Sequence, residues 1–403
     1  MTWHFAEIAG GIALVALAAA CDSPAAAEIT ATSRTPTPRE AVDAESAPLV
    51  GLPPEGEFVP VEHARGFDFV SDARTLLRVA ACGPDGTVPA RFDARVVDAH
   101  CAAIVAEYEA YRARWLDVAQ PFLRSIVPGG LPPVVVYPFG GGDLLTALAT
   151  FPDATEFITM SLEPPGDIRT IETLPPPGLA TTLAPIREHV SKRLRVSFLS
   201  TKNLGIEAHS ELPGELVLAL VALAVQGYEP TSLRYFDVAP DGSVTFASLP
   251  TRNVELVFRA RNAPRSPTKT LRHLSVNLDD AHLAKNPGLV ALLESKAPFC
   301  AMTKAASHLL WMDGFSSIRQ LLLDRMAWMI SDSTGIPPRF ARRAGFVQDA
   351  YGQYDGPDAY GPADGRDVEA FEELFRSATL PHLPFWYGYP DARSHGLVVV
   401  THR

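Results

Sequence analysis

The chain has no dense run of Lys and Arg: 35 basic residues face 46 acidic ones, a formal net charge of −11 over 403 residues. A nucleic-acid backbone demands a concentrated positive footprint, so no nucleic-acid partner is expected. Cysteine is scarce, at four. None forms a CxxC pair or stands at zinc-ligand spacing from histidine, so spacing gives no metal site to expect. No internal repeat at a solenoid period is visible. The apolar run Ile8–Ala20 falls short of the roughly 20 residues that span a bilayer. What is present is core-forming material, since 47% of the chain is hydrophobic, within the ordinary globular range.

The N-terminus reads as a targeting segment. Ile8–Ala20 fits the apolar region of a signal peptide, and Leu17-Ala18-Ala19-Ala20 supplies small residues at a cleavage site directly before Cys21. Cysteine in that place resembles the bacterial lipoprotein signal, which implies that Cys21 becomes the acylated N-terminus of a chain anchored outside the cytoplasm; plain secretion and a cytoplasmic protein are the alternatives. Residues 22–60 are rich in Pro, Ala, Ser and Thr and have too little apolar surface to offset ordering, so a disordered or extended tether is expected. Residues 61–403 are long enough for one elaborated α/β domain. In an oxidising compartment Cys82 and Cys101 are candidates for a disulfide, against two separate buried thiols.

The organising stretch is Leu131–Gly166. An apolar strand at Val134–Tyr137 meets the glycine turn Gly140–Gly142, a helix opens at Asp143, and a second strand at Phe157–Leu162 ends on Glu163. Such a β-turn-α-β unit places the turn and the end of the second strand at the ligand-binding edge of a parallel sheet. Phe299–Thr303 and Trp328–Ile330, joined through the helical sequence around Phe315–Met326, repeat the pattern. Val244–Ser248, Val254–Arg259 and Lys269–Leu278 alternate like antiparallel strands, Gly345–Asp367 reads as a loop, and Leu397–Thr401 reads as an edge or closing strand. The fold expected is α/β: a mainly parallel, Rossmann-like sheet with helices on both faces and an antiparallel β insertion.

Two resemblances appear in these residues. YPFGGGD, MSLEP, KAASHLL, FSSIRQLLLD, DSTGIPPRF and LPFWYGY resemble, in the same order, blocks of a group of uncharacterised bacterial predicted lipoproteins, which implies an envelope location and no particular activity. More distantly, Gly140-Gly141-Gly142-Asp143 and the strand ending Ser161-Leu162-Glu163-Pro164 resemble the glycine motif and second strand of class I S-adenosylmethionine-dependent methyltransferases. That resemblance implies S-adenosylmethionine as cofactor, with Glu163 on the ribose hydroxyls.

The ligand-binding candidates are therefore Gly140, Gly141, Gly142, Asp143 and Glu163. The glycines permit close approach and the helix start offers free N–H groups, although a tight turn with Asp143 as N-cap explains the same residues. Lys304 and Ser307 follow a strand in the same sense and would suit a hydrolase in which the lysine activates the serine. Lys304 would otherwise pair with Glu163 or Asp332. Asp332 is a candidate acid/base carboxylate, and Arg319 either clamps an anion or lies on a solvated face. The aspartates of the 345–367 stretch lack the ordered spacing of a calcium loop. Tyr351, Tyr354, Tyr360, Trp386, Tyr387 and Tyr389 could line a glycan or peptide surface. Three functional classes follow: a membrane-tethered envelope protein binding a small molecule or an envelope partner, an enzyme of methyltransferase or hydrolase type, and an interaction module built on the aromatic loop.

Overall fold

A computed structural model describes residues 68–84, 88–196, 212–354, 356, 365–380, 382–388 and 395–402. Cys21 and the expected tether fall outside the described residues, as do Tyr360 and Tyr389.

The described residues form a mixed α/β structure around one ten-stranded sheet: β1 (Val134–Pro138), β2 (Glu156–Ser161), β3 (Tyr228–Val238), β4 (Val244–Ala247), β5 (Asn253–Ala260), β6 (Lys269–Ser275), β7 (Phe299–Thr303), β8 (Met326–Ser331), β9 (Phe346–Gln353) and β10 (His395–His402). They lie side by side as β4-β3-β5-β6-β2-β1-β7-β8-β10-β9. The block β6-β2-β1-β7-β8 is parallel throughout. Antiparallel strands flank it on both sides, so five of the nine pairings are antiparallel and the sheet is not mainly parallel.

The central strands are apolar because both of their faces are covered. Every residue of β7 is buried, and in β1 only Val134 is partly exposed. Side chains alternate across the sheet. Val135 and Tyr137 enter a core shared with Trp115, Leu148 and Leu220, while Val136 enters the opposite core with Leu293, Ile318 and Phe371. Helices therefore cover both faces. The Gly214–Gln226 helix is nearly all buried, which matches its unbroken apolar sequence.

Three expectations need correction. Lys269–Ser275 is antiparallel to β5 but parallel to β2, so it closes the parallel block and is not part of a separate insertion. Within Gly345–Asp367, read as a loop, residues Phe346–Gln353 form β9. There Phe346 and Ala350 are buried while Asp349 is exposed, as suits an edge strand with one wet face. β10 is not an edge: it pairs with β8 on one side and β9 on the other.

Candidate functional site

In order of appearance, the five parallel strands stand third, second, first, fourth, fifth, so the order reverses between β1 and β7. In open α/β sheets, ligands bind outside the carboxyl ends of the strands at such a reversal. The two loops that leave β1 and β7 there are unusual in backbone conformation. Phe139 (φ 61°), Ala305 (φ 52°), Ser307 (φ 48°) and His308 (φ 55°) are left-handed non-glycine residues, and among the described residues only Cys82 joins them. Each costs of order 1–3 kcal/mol, and strain of this kind concentrates at functional sites.

Asp143 caps the Leu144–Thr150 helix, accepting from the Thr146 backbone N–H at 3.3 Å and the Thr146 hydroxyl at 2.8 Å. Its carboxylate also meets Arg193 at 2.6 Å and Lys304 Nζ at 2.6 Å, and it accepts from the Tyr137 hydroxyl at 3.0 Å. All four partners are buried. Burial alone would raise the Asp143 carboxyl, but Arg193 and Lys304 outweigh it and hold it below the usual range. Lys304 also donates to Thr146 Oγ1 at 2.8 Å. Its ammonium is depressed to about 8, by burial first and by Arg193 as well, against the pull of Asp143. Asp143 thus serves two cations.

Asp332 stands behind them. It accepts from the Ala305 backbone N–H at 2.8 Å and the Thr334 backbone N–H at 2.9 Å, so it fixes the left-handed β7 loop. Burial raises its carboxyl to about 6, opposed by those hydrogen bonds and by Lys304. Gly388 presses on it from the LPFWYGY block: a Cβ there would stand 2.1 Å from Asp332 Oδ2, and its φ of 103° would strain any other residue.

Glu163 belongs to a second group on the other side of the glycine turn. It neighbours Glu215, which lies in the first turn of the Gly214–Gln226 helix. Glu163 Oε2 and both carboxylate oxygens of Glu215 are buried with no hydrogen-bond partner among the described residues. Burial raises Glu163, and burial followed by repulsion from Glu163 raises Glu215 to about 8. Glu215 faces the turn: a Cβ on Gly142 would meet its Oε2 at 2.7 Å, and one on Gly141 would lie 3.9 Å from it and from Ser161 Oγ. Gly141, Gly142, Thr159, Glu215 and His273 line a cavity of about 10 Å³, room for about one water.

The structure thus joins Asp143, Lys304 and Asp332, and sets Glu163 apart from them. Lys304 takes Asp143 as an ion-pair partner and is drawn as well by the charge of Asp332, one of the two partners expected. Arg319 is on neither an anion site nor a wet face. It is buried, donates to the carbonyls of Leu310 at 2.9 Å and Met312 at 3.0 Å, and stacks 3.9 Å over Phe340. Tyr354 and Tyr387 are core residues, so the aromatic surface is not formed by them. Asp367 pairs with Arg339 at 2.8 Å.

Arg193, Glu215 and Gly388 escaped the reading of the sequence. Glu215 had a signal, as the lone acid opening an otherwise apolar helix; nothing local marked Arg193. Comparison with protein-family models, with curated proteins and with solved structures returns no match in any of the three.

Proposed function

We propose that this chain is a membrane-tethered protein of the bacterial envelope, acylated at Cys21, whose globular part binds a small polar ligand beside the glycine turn. The observation that carries this reading is the buried Glu215 beside Gly141 and Gly142, with the half-buried Glu163 near it, the two holding three buried oxygens without a hydrogen-bond partner among the described residues. Buried polar groups without partners are expensive, and most are satisfied in native proteins. A ligand bearing hydroxyl or ammonium donors supplies what the protein does not.

The strand order supports a Rossmann-like ancestry, because the parallel block follows the doubly wound order with its crevice at the reversal. A diverged methyltransferase-like enzyme is therefore the second reading, favoured by that order and by the reversed strand β10 inserted between β8 and β9. S-adenosylmethionine itself does not fit. The acids suit ribose hydroxyls, but the cavity holds about 10 Å³, against the roughly 300 Å³ at which small-molecule pockets begin. Asp143, beside the glycines, is consumed by Arg193 and Lys304. No methyl-transfer step is derived.

The test is a thermal-shift screen of the detergent-solubilised full-length protein against ammonium, methylammonium and methanol, sized for the cavity beside the glycine turn, with nucleosides and S-adenosylmethionine as oversized controls, beside Glu215→Gln. Saturable stabilisation by one class, lost in the variant, supports the site. A folded protein stabilised by none of them would leave the acids without a binding role and overturn the reading.

A further inference from the structure

A second cluster lies away from the sheet edge. Cys82 and Cys101 are joined in a disulfide, with Cα atoms 5.1 Å apart, between the end of the Val70–Val79 helix and the middle of the Ala94–Tyr111 helix. His100 sits beside them, and one of its ring nitrogens and both sulfurs lie within 4.8 Å of one another. All three residues are buried.

A purely structural disulfide does not account for His100. The imidazole is 2% exposed, its Nε2 is hydrogen-bonded to the Ala80 carbonyl at 3.0 Å, and its Nδ1 has no partner among the described residues. A carbonyl accepts only from an N–H, so the proton is on Nε2 and Nδ1 keeps its lone pair. An imidazole held in one tautomer by a backbone carbonyl, with the other nitrogen left basic, is how proteins present histidine to a metal. Arg78 adds a positive charge, its Nη1 3.6 Å from Cys101 Sγ, suited to a thiolate at that sulfur. Cys82 is held in the left-handed region at φ 57°, a conformation that needs support from its surroundings.

We propose that Cys82, His100 and Cys101 form a zinc site gated by reduction of the disulfide. In the oxidised chain the sulfurs are bonded to each other and cannot ligate. A dithiol reductant transfers two electrons and two protons, so the S–S bond breaks, two thiols form, and the reductant becomes a disulfide. Zn²⁺ then displaces the two thiol protons to solvent and takes two thiolates and one neutral imidazole, with water in the fourth tetrahedral position. Two thiolates balance the charge of the ion, and the soft sulfur donors with one imidazole match the preference of zinc. Spacing alone hides this site, because His100 and Cys101 are adjacent in sequence and Cys82 precedes Cys101 by 19 residues.

The experiment uses the full-length protein in detergent, in a Cys300→Ala background so that the buried free thiol does not contribute. After reduction with a phosphine and anaerobic desalting, Co²⁺ is titrated in as a spectroscopic probe and Zn²⁺ is used to displace it. The expected result is one Co²⁺ per reduced chain, with thiolate-to-cobalt charge-transfer absorption, and none in the oxidised chain. His100→Ala should weaken binding at least tenfold, and Cys101→Ser should remove most of the charge-transfer intensity. A folded, reduced chain that takes up no cobalt overturns the proposal, as does equal binding by His100→Ala or by the oxidised protein. If circular dichroism shows that reduction unfolds the chain, zinc must restore the fold; failure to do so refutes the site equally.

Discussion

Replacing Glu215 by Gln keeps the shape of the side chain and removes its titration, so the difference between the two proteins isolates one buried acid. In the unfolded chain Glu215 ionises near its ordinary 4.5, whereas burial and Glu163 hold it protonated to about 8 in the fold. Between those values the folded state carries the extra proton, so stability falls as pH rises, by about 1.4 kcal/mol per unit. His273 acts in the opposite sense lower down: burial depresses it from 6.5 to about 4, so its contribution grows with pH across that range and is complete by 6.5. Lys304, which loses its proton at about 8 in the fold and at 10.5 unfolded, adds stability only above 8. The window from pH 6.5 to 8 therefore belongs largely to Glu215, and over it the wild type should lose about 2 kcal/mol relative to Glu215→Gln. Urea denaturation at the two ends of the window reads this directly. Parallel stability curves for the two proteins would show that Glu215 is already ionised in the fold, and would remove the argument that its oxygens await a donor.

The charge cluster on the other side of the turn gives a ranking. Asp143→Ala removes the carboxylate that Arg193 and Lys304 share and should cost about 3–5 kcal/mol in urea denaturation; Lys304→Met keeps the Arg193–Asp143 pair and should cost distinctly less, so the reverse order would refute the network. Gly142→Ala drives a methyl to within 2.7 Å of Glu215 Oε2 and 3.0 Å of Leu218 Cβ, and should destabilise by about 1–3 kcal/mol. Gly129→Ala, with nothing within 4 Å, should stay within about 0.5 kcal/mol in the same assay. Cys21→Ser should abolish incorporation of labelled palmitate and move the protein from the membrane to the soluble fraction; persistent membrane association would count against the anchor.

The parts of the fold legible in the sequence are those whose environment acts on every residue. β1, β2, β7 and β8 are buried on both faces, so they appear as short apolar runs wherever the neighbours lie. β3 was invisible because Tyr228–Val238 mixes Pro230, Ser232, Arg234 and Asp237 among its apolar positions, and it shifts register between Pro230 and Ser232. β9 failed for a related reason: one wet edge face leaves too few apolar residues to separate strand from loop. The position of β10 depends on pairing with β8 and β9, which no local pattern encodes.

The same division explains the candidate site. The glycine turn was legible because Gly140, Gly141 and Gly142 answer local demands: a Cβ on the first would strike the Tyr137 ring at 2.5 Å, the second is left-handed at φ 48°, and the third faces Glu215. The capping of a helix by Asp143 is likewise a local matter. The electrostatics are not. Asp143 meets Lys304 because β1 and β7 are neighbours in the sheet, and it meets Arg193 because the Leu179–Val196 helix brings that residue back to the turn; a one-dimensional reading could name these charges but not pair them. Pairing changes the chemical argument: Lys304 neutralises Asp143, and the acid left with unfilled hydrogen-bonding capacity is the one on the far side of the turn. The ligand question therefore moves from the lysine to Glu215, where the pH-dependent stability difference puts it to the test.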